Sequence, residues 1–197
     1  MRDEQIHSNP VNQESGSAMV GQKEILSFWF EESGPKNWFR KSGPFDAECR
    51  ARFQTTLEAA AKGETWRWRS TPEGRCAEII VLDQLSRNIY RGTAQAFAQD
   101  PMALTLAQEA VAGEWDRRMT TDQRYFTYMP YMHSESVLIH EEAMRLFTAL
   151  GNDKALHYEK LHRDVIQRFG RYPGRNAALG RATSAAEAVY LAEEGGF

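Results

Sequence analysis

The sequence predicts an all-α fold, and three observations support that prediction. Apolar residues recur at helical spacing through most of the chain, as Leu82, Leu85 and Ile89 do. Residues that start and stop helices separate these apolar patterns at short intervals. No stretch alternates apolar and polar residues convincingly at the period of two that a half-buried strand shows. We therefore predict an irregular bundle of antiparallel helix pairs.

The composition fits one globular domain with a sizeable core. Of the 197 residues, 42% are hydrophobic and 26% are charged. Residues 1–18 are polar and aperiodic and are predicted to form a tail, and residues 19–197 are predicted to form the single all-α domain. The two cysteines, Cys49 and Cys76, have neither metal-binding nor redox spacing, which is typical of a reduced cytosolic protein.

Charge and hydropathy argue against several classes of protein. A formal net charge of −3 argues against a dedicated nucleic-acid binder, which normally carries a basic footprint. No apolar run approaches the roughly 18 residues of a membrane span, and the N-terminus lacks the layout of a signal peptide. We expect a cytoplasmic protein with neither a nucleic-acid nor a membrane partner. Because HExxH, Walker and dinucleotide motifs are absent, we predict no cofactor.

The first half of the chain is predicted to form three helices. The first spans Gly21 to Glu32 and stops at residues 33–35, before a loop rich in aromatic residues. The second is predicted to have Asp46 as its N-cap and to end at Gly63. The third opens at residues 71–73, with a proline in its first turn. Between the second and third helices, Trp66 and Trp68 are predicted to line a helix–helix seam.

The second half is predicted to contain five further helices. Their predicted first or capping residues are, in chain order, Asp100, Thr121 or Asp122, Ser134, Asn152 and Ser184. Four of them are predicted to end at Gly113, Leu150, Phe169 and about Glu194, and Pro130 is predicted to break or kink the one that begins at Thr121 or Asp122. Short connections between them favour antiparallel neighbours.

Three ordered motifs lie at residues 82–92, 130–135 and 169–181, with shorter ones at residues 27–30 and 45–48. Together they resemble a bacterial family, the domain-of-unknown-function family numbered 924. The resemblance covers nearly all residues after about 20. It implies an all-α fold similar to the tetratricopeptide-repeat-like superfamily, and it implies no established activity. This chain departs from the family pattern at Gly174, where histidine is usual, and at Ser86, where proline is usual.

The first motif places a polar face on the third helix. Asp83, Arg87 and Arg91 lie on the side opposite Leu82, with Asn88 beside them. Two interpretations stay open. The guanidinium forks are suited to gripping a carboxylate or phosphate ligand, or Asp83 and Arg87 form an ion pair on a solvated face.

The second motif and the last long helix supply candidate proton carriers. Glu135 is predicted in a first helical turn, at the edge of a buried face where a carboxyl group can act as acid or base. Its alternative role is a salt bridge at the helix start. His162 is predicted to face the core, as a structural histidine or as a proton carrier. His133 and His140 lack a recognised zinc spacing, so we predict no metal site.

The third motif contains arginines and glycines around residues 168–176. Gly170 and Gly174 permit positive φ, so successive N–H groups are able to form an anion-binding nest. The alternative is a helix stop after Phe169, with the arginines satisfying helix carbonyls and carboxylates.

The resulting hypothesis is one polar pocket for a small anionic ligand, including phosphate-bearing ones. The predicted ligand-binding residues are Arg87, Asn88, Arg91, His133, Arg171, Arg175 and Asn176, and the predicted catalytic residues are Glu135 and His162. The sequence does not decide whether the protein is an enzyme. The alternative hypothesis is a non-enzymatic helical scaffold for a peptide or protein partner, with a groove that contains Trp38, Trp66 and Trp68.

Overall fold

The computed structural model describes residues 18–196, and this range contains helices and turns but no strand. The predicted tail, apart from Ala18, lies outside the described residues. The helices are α1 (Gln22–Leu26), α2 (Gly43–Ala61), α3 (Pro72–Ile79), α4 (Ser86–Ile89), α5 (Asp100–Ala112), α6 (Thr121–Met132), α7 (Val137–Leu150), α8 (Asp153–Phe169) and α9 (Ala185–Glu194). The prediction of an all-α fold is confirmed.

Two π-helical segments and four short 3-10 turns complete the backbone. Ser27–Ser33 extends α1 until Gly34, which has φ 59°, and Ile80–Leu85 joins α3 to α4. The 3-10 turns are Trp66–Ser70, Ala94–Phe97, Asp116–Arg118 and Pro173–Arg175. Residues 72–89 therefore form one continuous helical rod.

This rod is the centre of the fold. Every residue from Cys76 to Ser86 is buried, because α1, α2, α5 and α6 pack around it. Asp83, which we predicted on a polar face, has no solvent exposure. The predicted ion pair between Asp83 and Arg87 is present at 3.1 Å, but its solvated setting is wrong, because neighbouring helices bury Asp83 completely.

The second half packs as helix pairs. Residues 133–136 join α6 to α7, residues 151–152 join α7 to α8, and each of these pairs is in contact along its length. Such short connections make the partners antiparallel. A smaller apolar cluster, Val165, Ile166, Tyr172 and Tyr190, packs α9 against the end of α8. The tetratricopeptide-like arrangement stays a prediction.

Helix starts were predicted correctly where the capping contact is local. The side chains of Thr71, Asn152 and Ser184 accept hydrogen bonds from backbone N–H groups at the starts of α3, α8 and α9. The predicted caps Asp46 and Asp100 are wrong. Ser42 caps α2 and Gln99 precedes α5, because both carboxylates bind arginines instead.

Three other predicted boundaries differ from the structure. Thr120, with Gln123, forms the capping box of α6, one residue earlier than predicted. Pro130 lies inside α6 rather than ending it. Helix α7 begins after Ser136, two residues beyond the predicted cap Ser134. These differences lengthen α6 and place His133 at its C-terminal end.

The predicted tryptophan seam is half correct. Trp68 packs against the core, whereas Trp66 is 58% exposed with the Arg67 guanidinium 5.1 Å from its ring centroid. In residues 18–196, no helix combines the length and apolar character needed to cross a membrane.

Candidate functional site

Two adjoining cavities lie beside the end of the central rod. The first has a volume of about 470 Å³ and the second about 590 Å³. Both are bordered by the loop of residues 34–42, the C-terminal end of α6 and helix α8. Their shared wall contains Phe39, Arg40, Met129, His133 and His162.

The first cavity brings together most of the predicted site residues. Six of the predicted side chains line it: Arg87, Asn88, Arg91, His133, His162 and Arg175. Gly174, the position where the resembled family usually has histidine, also lies in its lining. Glu135, Arg171 and Asn176 are not among the lining residues. The three motifs thus converge in space, although not with every predicted residue.

Asp83 organises the inner wall of the first cavity. Its carboxylate lies 2.7 Å from His133 Nδ1, 2.5 Å from Gln84 Nε2 and 3.1 Å from an Arg87 nitrogen. Burial alone would raise the pKa of Asp83, but Arg87 and His133 outweigh it and hold the pKa well below its usual range. The buried carboxylate is therefore ionised and accepts all three contacts.

His133 sits at the C-cap of α6, in surroundings that favour its neutral form. Burial, together with the Arg87 charge, lowers the pKa of His133 below its ordinary value, although Asp83 opposes this shift. Because an ionised carboxylate only accepts hydrogen bonds, Nδ1 carries the imidazole proton. Nε2 has no hydrogen-bond partner among the described residues.

Asp100 joins two arginines from distant parts of the chain. Arg87 donates two hydrogen bonds of 2.9 Å to its carboxylate, and Arg175 donates one of 3.1 Å. Arg175 also donates to the His133 carbonyl, and its guanidinium lies 4.5 Å from the Tyr172 ring centroid. This cluster ties α4, α5 and the turn after α8 together.

Asp46 forms a similar contact on the other side of the cavity. Arg91 donates hydrogen bonds of 2.6 and 2.8 Å to Asp46, and Asn88 donates one of 2.9 Å. Burial would raise the pKa of Asp46, but the Arg91 and Asn88 contacts lower it overall. Arg87, Arg91 and Arg175 are thus each paired with a carboxylate.

Four other cations that line the cavities have no ion pair in the described part of the chain. Arg40 and Lys41 line the first cavity, and Arg40, Lys36 and Lys154 line the second. Neither lining contains an aspartate or a glutamate. The net positive charge of the two linings therefore comes from residues that were not predicted from the sequence. The available signal was the closeness of Lys36, Arg40 and Lys41 to the aromatic pair 38–39, whereas Lys154 had none.

Aromatic packing positions the loop of residues 34–42. Trp38 Nε1 donates a 2.7 Å hydrogen bond to the Trp29 carbonyl, and the Trp38 ring packs edge-on, 4.8 Å from the ring of Phe126. Asn37 donates to the Ser33 carbonyl. Phe39, which is 54% exposed, stacks over the same Phe126 ring. The loop is anchored at its middle while its charged side chains border the cavities.

Glu135 forms a clamp outside the cavities. Its carboxylate accepts hydrogen bonds of 2.7 and 3.0 Å from Arg181 and one of 2.8 Å from the Tyr172 N–H. Burial would raise the pKa of Glu135, but these contacts lower it. This geometry matches the salt-bridge alternative, and the catalytic role stays a prediction.

Arg171 and Asn176 fasten the segment after α8. Arg171 donates to Glu187 at 2.6 and 2.9 Å, and Asn176, which is buried, donates to Thr183. Gly170, with φ 69°, ends α8 and donates to the Ile166 carbonyl. The Tyr172 N–H is already bonded to Glu135, so the segment matches the helix-stop interpretation better than an anion nest.

Two further histidines, His140 and His162, are held inside the protein. Burial lowers the pKa of His162 to about 3, and its Nδ1 donates to the Tyr158 carbonyl at 2.8 Å. His140 is fully buried, with Glu159 at 2.7 Å on one nitrogen and the Ser134 carbonyl at 2.9 Å on the other. Among residues 18–196, no group of three or more His, Cys, Asp or Glu side chains is arranged to hold a metal ion.

The fold and this cluster define an all-α protein with a cavity bordered by cationic side chains. The profile of the family described as "Bacterial protein of unknown function (DUF924)" matches residues 25–195, so the chain belongs to that family. A solved structure of a protein of unknown function from Agrobacterium tumefaciens is 39% identical, with a TM-score of 0.82. The match covers 88% of this chain and 97% of that one. A search of curated proteins gave no significant match.

Proposed function

We propose that the two adjoining cavities bind a small anionic molecule, including phosphate-bearing ones. The observation that carries this proposal is the charge of the lining. Within residues 18–196 it contains seven basic residues, Lys36, Arg40, Lys41, Arg87, Arg91, Lys154 and Arg175, and no acidic residue. Such a concave surface concentrates anions by its electrostatic field.

The paired and unpaired cations have different parts in this proposal. Arg87, Arg91 and Arg175 are held in place by carboxylates behind them, so they are preorganised to donate hydrogen bonds without contributing net charge. Arg40 and Lys41 supply net charge at the rim. An anion is therefore attracted by the rim and oriented by the inner wall.

We propose binding alone for these cavities. Catalysis by Glu135 or His162 stays a prediction, as do the cytoplasmic location and the absence of nucleic-acid and membrane partners. The scaffold hypothesis also stays a prediction. Of its three tryptophans, Trp38 lines the first cavity and Trp66 is the exposed one.

Isothermal titration with phosphate, sulfate and a panel of small anionic metabolites tests the proposal. We expect saturable binding to the wild type, and the double variant Arg40→Gln/Lys41→Gln should weaken it by about fivefold to thirtyfold, from roughly 0.5–1 kcal/mol per charge. The matched control is Lys62→Gln/Lys160→Gln, which removes the same charge from exposed positions outside both linings.

Two results would count against the proposal. Absence of binding and of thermal stabilisation across the whole panel would remove it. Equal weakening in the control variant would show that net charge, rather than the cavity, attracts the anions.

A further inference from the structure

Three polar side chains in the lining of the first cavity are each held by a carboxylate. Gln84 Nε2 and His133 Nδ1 contact Asp83 at 2.5 and 2.7 Å, and Asn88 Nδ2 contacts Asp46 at 2.9 Å. All three side chains are part of the lining.

These contacts fix which atom each side chain presents. Both carboxylates are ionised, since Asp83 lies 3.1 Å from Arg87 and Asp46 lies 2.6 Å from Arg91. An ionised carboxylate accepts hydrogen bonds and donates none. The atom that faces it must therefore be an N–H in every case, which sets the amide orientations and the imidazole tautomer.

The opposite atom of each amide is then a hydrogen-bond acceptor, as is His133 Nε2 in the neutral imidazole that burial and the Arg87 charge favour. Gln84 Oε1, Asn88 Oδ1 and His133 Nε2 have no hydrogen-bond partner among residues 18–196. None of them belongs to the fully buried polar atoms that lack partners, and all three residues line the first cavity. The first cavity thus offers three oriented acceptors next to its cationic groups.

We propose that the ligand of this site carries hydroxyl groups beside its anionic group, as a sugar phosphate or a sugar acid does. This inference rests on the anion-binding function proposed above and narrows it to one chemical class. A ligand without donors leaves desolvated acceptors unpaired, which is unfavourable. Hydroxyl donors fit better than ammonium donors, because Arg40 and Lys41 make the cavity repulsive to a second cation.

Matched pairs of probes test the inference by titration calorimetry. Glycerol phosphate is compared with propyl phosphate, and gluconate with hexanoate, so each pair shares its anionic group and chain length. Phosphoethanolamine is the arm for ammonium donors. We expect at least one hydroxylated member to bind about tenfold or more tightly than its partner, a ratio that one or two satisfied acceptors supply.

A variant connects that preference to the acceptors. Gln84→Met removes one acceptor with little change in length, and we expect it to reduce the hydroxyl preference about threefold or more. Gln54→Met is the control, because Gln54 bonds Glu58 on the surface of α2, outside both linings. If Gln84→Met does not fold, Asn88→Ala replaces it, since Arg91 still pairs with Asp46. The preference is a ratio, which a uniform loss of affinity does not change.

The outcomes separate this inference from the proposed function. Equal binding of both members in both pairs, or tighter binding of phosphoethanolamine than of glycerol phosphate, overturns the inference while anion binding stands. An unchanged preference in the Gln84→Met and Asn88→Ala variants also overturns it. Failure of every anion to bind removes the proposed function and the inference together.

Discussion

The inner wall of the first cavity and the loop of residues 34–42 are both rich in cations, yet they differ in one respect. The wall arginines Arg87, Arg91 and Arg175 are bonded to carboxylates. Arg40 and Lys41 in the loop have no ion pair among the described residues. An arginine motif therefore predicts an organised structure more reliably than it predicts unpaired positive charge. Whether the charge of an arginine is neutralised depends on the carboxylates that contact it in the fold.

The two regions should therefore respond differently to mutation. Removing a partner from the wall leaves a buried charge unpaired and destabilises the fold. Removing a loop cation changes mainly the attraction for anions. The predictions below test this division, beginning with the largest expected effect.

The largest effect is expected for Asp83→Ala. Loss of this fully buried carboxylate leaves His133 Nδ1 without its partner and Gln84 Nε2 with only the Met129 sulfur, and it removes one of the two acidic partners of Arg87. We expect the free energy of unfolding to fall by about 3–5 kcal/mol. Urea denaturation measures it.

The control for this variant is Glu142→Ala, which breaks the exposed pair between Glu142 and Arg145 on α7. We expect a change of less than about 1 kcal/mol for this control. Comparable losses in the two variants would contradict the special role of the buried carboxylate.

The pH dependence of stability is the second test, and it concerns His162. The folded pKa is lowered to about 3, below the ordinary value near 6.5. Between these two pKa values the unfolded chain binds a proton at His162 and the folded protein does not. The contribution of His162 to the free energy of unfolding is therefore fully present above about pH 6.5 and is lost as the pH falls towards 3. Between pH 6.5 and 4.5 we expect a loss of about 2 kcal/mol from this group.

Denaturation of His162→Gln over the same pH range measures that contribution. The slope of unfolding free energy against pH should become shallower than in the wild type. His157→Gln, at an exposed histidine one turn away, is the control and should keep the wild-type slope. Parallel slopes in all three proteins would show that the burial of His162 does not affect its titration.

A smaller effect is expected for Arg91→Gln. Arg91 joins the end of the central rod to α2 through Asp46, but its side chain is 38% exposed, so solvent screens the pair. We expect a loss of about 1 kcal/mol in unfolding free energy. Arg117→Gln, which breaks an exposed pair with Glu114, should cost less, and the reverse order would contradict the assignment of Arg91 to the wall.

The smallest effect on stability is expected in the loop. Arg40→Gln/Lys41→Gln should change the unfolding free energy by less than about 0.5 kcal/mol, because neither side chain has an ion pair to lose. The same protein should show the weakened anion binding described above. A stability loss similar to that of Arg91→Gln would mean that the loop is part of the structural network.

Structural features that depend on residues close together in the chain were predicted well from the sequence. Helical periodicity and the caps at Thr71, Asn152 and Ser184 involve contacts within one helical turn, and the structure contains them. The prediction of Asp46 as an N-cap was wrong because its partner is remote in sequence. Its carboxylate has the chemistry of an N-cap, but an arginine 45 residues away binds it.

The sequence predicted most of the residues that line the first cavity, but not which of their charges are neutralised. Residue types and motif order indicated Arg87, His133 and Arg175, and these three line one cavity. Their partners are remote in sequence, since Asp83 and His133 are 50 residues apart and Asp100 and Arg175 are 75 apart. No local pattern indicates such pairs, and none predicted that Lys154 would line the second cavity beside the loop.

Periodicity and capping chemistry were thus sufficient for the all-α fold, and the ordered motifs were sufficient for the family. The tertiary structure decided which charges are neutralised and which acceptor atoms remain for a ligand. The physical reason is that helix formation depends on contacts between residues about four positions apart, whereas the state of a buried ionisable group depends on desolvation and on partners from any part of the chain.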